Sequence, residues 1–135
     1  MNINSIVWPP QKRLAVSHYS IFLIKILDLE GIEFPDKFRD PVEVTKGYLS
    51  GNISTDELRE EANKWWSYLD SNNKTRDFSS QDALVARFAI CLLSVTEEDV
   101  EELGEHLSWF FEVLENYGID LGKPIKLMTE YFEFK

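Results

Sequence analysis

Two histidines, one cysteine and 24 carboxylates are the groups in this 135-residue sequence with the chemistry for proton transfer, metal ligation or nucleophilic attack. His18 and His106 stand apart in the chain, outside any H-E-x-x-H pattern, any repeated Glu-x-x-His pair and any cysteine partnership that would gather a zinc ion. Glu102 lies four residues before His106. A solitary helical histidine is usually packed or solvated, so neither is assigned a catalytic or metal role. Cys91 sits in the apolar run Phe88-Ala89-Ile90-Cys91-Leu92-Leu93, where a thiol acts as a small hydrophobe and its thiolate is disfavoured. Gly47-Tyr48-Leu49-Ser50-Gly51 lacks the following Lys-Ser/Thr of a phosphate cradle and reads as a helix end with a turn. These residues assign no catalytic group, cofactor or metal, and a non-enzymatic protein is expected.

The carboxylates are more informative as a distribution. The sequence has 14 Lys plus Arg, a net charge of −10 and a pI near 4.6. Nucleic acids and anionic membranes would repel such a surface, so neither is expected as a partner, whereas a basic protein is favoured. Residues 88–122 contain nine acids and no Lys or Arg, and so hold almost the whole net charge. Within them Glu98, Glu101, Glu102, Glu105 and Glu112 recur at helical steps opposite the apolar positions Leu103, Leu107, Phe110 and Leu114. Like charges one turn apart cost a few tenths of a kcal/mol per pair, so the clustering calls for an explanation. Three are available: cations such as Arg59, Lys64 or Arg87 approach from other helices, a basic partner docks on the face, or the first-turn acids suit the helix dipole. Trp109, at the edge of the same segment, joins the five glutamates as a contact candidate because interfaces favour tryptophan. Trp65 continues the core face of its helix, and Trp8 and Trp66 are read as core before contact.

The elements that must position these groups are helical. Composition is 44% hydrophobic and 13% aromatic, enough for one folded domain over residues 1–135. Pro9 and Pro10 fit a helix's first turn, and that helix should run to Gly31 and lie centrally, since Ile21–Leu27 is apolar on nearly every side. Pro41 opens a short helix ending near Gly47–Gly51. Ser54-Thr55-Asp56-Glu57 has capping-box spacing, and Leu58, Ala62, Trp65 and Leu69 make one face of a helix over 55–70. Ser79 or Ser80 should cap the next helix, which carries Leu84, Val85, Phe88, Leu92 and Val95, with Arg87 as an internal ion-pair partner. Thr96 opens a fifth helix that Gly118 ends. The tail Ile125–Phe134 fits a short helix or an alternating strand. An all-α bundle of five to six helices follows, with a short irregular or strand-like tail.

The lone cysteine excludes an internal disulfide, and Met1–Arg13 has no charged segment followed by an apolar run, so a reducing cytoplasm is expected. The longest apolar stretch, in Ile21–Leu27, falls short of the roughly 20 residues that span a bilayer.

Gly47-Tyr48-Leu49-Ser50-Gly51-Asn52-Ile53-Ser54, its capped Trp-bearing helix and Ala83-Leu84-Val85-Ala86-Arg87-Phe88-Ala89-Ile90-Cys91 resemble the small helical immunity proteins of bacterial polymorphic toxin and contact-dependent growth inhibition systems. The resemblance spans roughly residues 40–95 and brings no catalytic motif. It implies a protein that binds a cognate toxin domain and blocks its active site or an essential surface, with a basic, nuclease-like domain as the match for clustered carboxylates. An acidic adaptor or regulatory subunit docking another basic protein is the alternative. An enzyme using a histidine with carboxylates gathered by folding stands third.

Overall fold

The computed structural model of the chain describes residues 3–135, so the first two residues of the Met1–Arg13 segment lie outside the described residues. Six α-helices occur among them: α1 (Lys12–Leu29), α2 (Pro41–Leu49), α3 (Thr55–Ser71), α4 (Gln81–Leu93), α5 (Leu103–Tyr117) and α6 (Gly122–Tyr131). Short 3₁₀ segments at Ile3–Ser5 and Glu97–Glu102, and the strands β1 (Ile6–Val7) and β2 (Glu133–Phe134), complete an all-α fold. No helix among the described residues is long and apolar enough to cross a membrane.

The central helix is α4, not α1. Every residue from Ala83 to Leu93 is buried, and α2, α3 and α5 pack around it. The apolar run of α1 suggests the reverse, but Leu14, Ile21 and Leu29 are exposed on its outer side. Alanines explain the difference: Ala83, Ala86 and Ala89 thin α4 so that neighbouring helices can approach it on all sides. Helix α1 also starts later than the prolines suggest. Gln11 is its N-cap, and Pro9 and Pro10 lie in the link from β1, which pairs antiparallel with β2 through Ile6–Phe134 and Val7–Glu133. The tail is therefore both helix and strand. Trp8 packs edge-on to Phe132, with ring centres 5.0 Å apart, and Phe22 of α1 lies at the same distance from Phe132.

Local punctuation sets the other boundaries. Asp40 caps α2 by accepting from the Val42 amide at 3.0 Å, with Pro41 in the first turn where its missing N–H costs nothing. Ser54 and Glu57 form the capping box of α3. Replacing Ser54 with Ala should lower unfolding free energy by about 1 kcal/mol, measured by urea denaturation. At α4 the cap is displaced: Ser80 makes no side-chain cap bond. Instead the Asp77 carboxylate accepts from the amides of Ser79 and Ser80 at 2.8 and 2.9 Å. Those donors hold the Asp77 carboxyl well below the usual carboxylate range.

Arg87 has a structural role of a different kind from an ion pair. Its buried guanidinium donates to the Thr75 carbonyl at 2.6 Å and, at longer range, to those of Lys74 and Asp77, while Phe78 covers it at 4.1 Å. It therefore ties the 72–80 connection to the central helix through backbone acceptors. Arg87→Met should cost about 2–3 kcal/mol, the scale of hydrogen bonds to a charged donor, and speed proteolysis within that connection.

Candidate functional site

The acidic segment is built from two helical geometries rather than one. Thr96 is a buried cap whose hydroxyl accepts from the Glu98 amide, while Asp99 Oδ2 accepts from the Thr96 amide and hydroxyl at 2.8 and 3.1 Å. Residues Glu97–Glu102 then run as a 3₁₀ turn, and the α-helix begins only at Leu103. A 3₁₀ turn repeats every 3.0 residues against 3.6, so the single helical face expected from Glu98 to Glu112 is bent at its N-terminal end. Leu103, Leu107, Phe110, Phe111, Val113 and Leu114 anchor α5 in the core, and Gly118 ends it in the left-handed conformation at φ 96°.

Among the described residues, neighbouring cations reach only the start of the segment. Arg59 of α3 pairs with Glu98, and Arg13 of α1 lies 3.9 Å from Glu97. Lys64 turns to the buried Glu61 at 2.9 Å, and Arg87 is occupied by carbonyls. Glu101, Glu102, Glu105 and Glu112 are exposed and have no ion pair or side-chain hydrogen bond among the described residues. Of the six contact candidates, Glu98 has an exposed ion-pair partner, four glutamates are open, and Trp109 is half-buried with its body packed against the core.

Glu115 completes the group. Glu105, Ser108, Glu112 and Glu115 follow i+3 and i+4 steps along the exposed side of α5. The sequence spacing contained this signal, but Glu115 is separated from the dense 97–105 cluster and is easily passed over. It is also the most telling residue electrostatically. Acids near the start of a helix are favoured by its dipole, whereas Glu115 sits in the last turn of α5, where a cation is favoured and none is present. The helix dipole therefore accounts for the acids at the beginning of the segment and not for Glu115.

A cavity of about 370 Å³ between the 33–37 loop, α3 and α4 is lined by Phe34, Trp65, Tyr68 and neighbours, without either histidine or Cys91. His18 lies edge-on to Tyr131 with ring centres 5.9 Å apart, and His106 edge-on to the buried Tyr19 at 6.4 Å. Cys91 is buried in α4, and burial pushes its thiol far above the ordinary range. Burial likewise raises the Tyr19 hydroxyl, which donates to the Cys91 carbonyl at 3.3 Å. Trp65 is buried against Phe34 and Phe38, and Trp66 is exposed.

No family model, curated protein or solved structure matches the chain.

Proposed function

We propose that this chain is a non-enzymatic immunity protein that acts in the cytoplasm by binding a cognate bacterial toxin domain and covering its active site or an essential surface. The observation that carries the docking reading is the row of exposed carboxylates along α5, unpaired among the described residues, with Glu115 placed against the helix dipole. A rigid helix bearing several uncompensated charges suits a basic cleft, because its long-range field accelerates encounter while its buried stripe keeps the charges in register. Trp109, half-buried beside Glu105 and Glu112, provides an aromatic contact at the centre of the row. The toxin as the particular partner comes from the resemblance of residues 40–95 to helical immunity proteins. A basic nuclease-like domain is the best match, since its phosphate-binding cleft would accept carboxylates.

Affinity purification of the tagged chain from its native host tests this reading. Recovery of a basic toxin domain in one-to-one proportion is expected. Recovery of a housekeeping complex without a toxin would contradict immunity and favour the adaptor alternative.

A further inference from the structure

We propose that Asp99, Glu102 and His106 form a binding site for one divalent transition cation of the zinc and cobalt class. The metal-binding atoms of these three side chains all lie within 4.8 Å of one another. The change of helix type brings them together. In the 3₁₀ turn, residues three apart eclipse, so Glu102 stands over Asp99; one α-turn later His106 follows Glu102 on the same side.

The imidazole distinguishes this group from the surrounding acidic surface. His106 is half-buried with its ring against Tyr19, whose hydroxyl is directed to the Cys91 carbonyl. Neither ring nitrogen of His106 has a hydrogen-bond partner among the described residues. Among the described residues no cation pairs with these carboxylates: Arg59 is directed to Glu98, and Arg13 to the Tyr48 and Leu49 carbonyls with Glu97 at 3.9 Å. The Thr96 bonds to Asp99 Oδ2 orient that carboxylate, and Glu102 is exposed at the open side, where an ion enters.

One nitrogen and two oxygens suit zinc, cobalt or manganese, whereas magnesium and calcium favour all-oxygen ligation. Zinc ligands lie about 2.0–2.2 Å from the metal, roughly 3.4 Å from each other in a tetrahedron, so small side-chain rotations close the present arrangement. Three protein ligands leave a fourth position for water. The site does not rest on the toxin-binding reading.

Titration of the full-length, metal-free protein with ZnCl₂, followed by calorimetry and histidine-ring NMR, tests the proposal. Saturable one-to-one binding is expected, with the His106 ring signals shifting and those of His18 serving as the internal control. His106→Gln and, separately, Glu102→Gln should each weaken binding about tenfold or more, while Glu112→Gln leaves it unchanged. Circular dichroism establishes that each variant retains its helical fold. No saturable binding, equal shifts at both histidines, or unaltered binding by folded His106→Gln would overturn the site. Partner binding by the metal-free protein is measured separately, so failure of this site is distinguishable from failure of the docking reading.

Discussion

Phe22→Ala is expected to lower the unfolding free energy by about 3–5 kcal/mol, the cost of emptying a fully buried aromatic position. Phe22 is completely buried in α1, with ring centres 6.4, 5.6 and 5.0 Å from Phe111, Tyr131 and Phe132. It therefore joins α1, α5 and the C-terminal segment at one point. Beyond the lost apolar area, truncation leaves a cavity that three large rings can only partly fill. Urea unfolding measures the total loss. Hydrogen exchange adds a positional check: the Ile6–Phe134 pairing should become markedly less protected, because Phe132 loses the ring that holds the C-terminal end against α1. An effect below about 1 kcal/mol would contradict this packing.

The second large effect concerns association. Changing Glu101, Glu105, Glu112 and Glu115 together to Gln should slow binding to the recovered basic partner at low salt by about tenfold or more, within the range electrostatic steering supplies. Folding should be preserved or slightly strengthened. All four side chains are exposed and without ion pairs among the described residues, and like-charge repulsion at one-turn spacing costs a few tenths of a kcal/mol per pair. Leaving Glu98 and Glu102 in place keeps the Arg59 ion pair and the proposed cation site out of the comparison. Stopped-flow association and thermal unfolding on the same samples separate a steering effect from a folding defect.

Much of the scaffold was legible because local rules and tertiary packing agree. The Ser54–Glu57 spacing specifies a cap that the chain makes, Trp65 falls on the buried side of α3, and Gly118 ends α5 where a left-handed residue is needed. The central position of α4 was harder to read. A helix buried on all sides and a helix with a broad apolar side both appear as apolar runs, and only the neighbours that pack against them decide between the two. The tail combined both suggested periods, since α6 gives way to a two-residue strand that exists only because β1 is there to pair with it.

The acidic segment was legible as charge but not as geometry. Periodicity at 3.6 residues places Glu98 and Glu112 on one continuous face, while the chain spends two turns, Glu97–Glu102, in 3₁₀ form before entering α5. Arg59 and Arg13 come from α3 and α1, so their approach to Glu98 and Glu97 depends on helix packing that no local pattern encodes. The opposite holds for Glu115, whose unfavourable place at a helix end follows from spacing alone.

The docking account is tested most directly by the association rate of the unaltered protein with its basic partner across a salt series from about 20 to 300 mM. Over that range the screening length falls from about 20 Å to about 6 Å. Docking through the α5 carboxylates predicts a steep fall in rate, about tenfold or more, that flattens in the four-glutamine variant. A rate independent of salt, or a slope unchanged by removing those four charges, would contradict it.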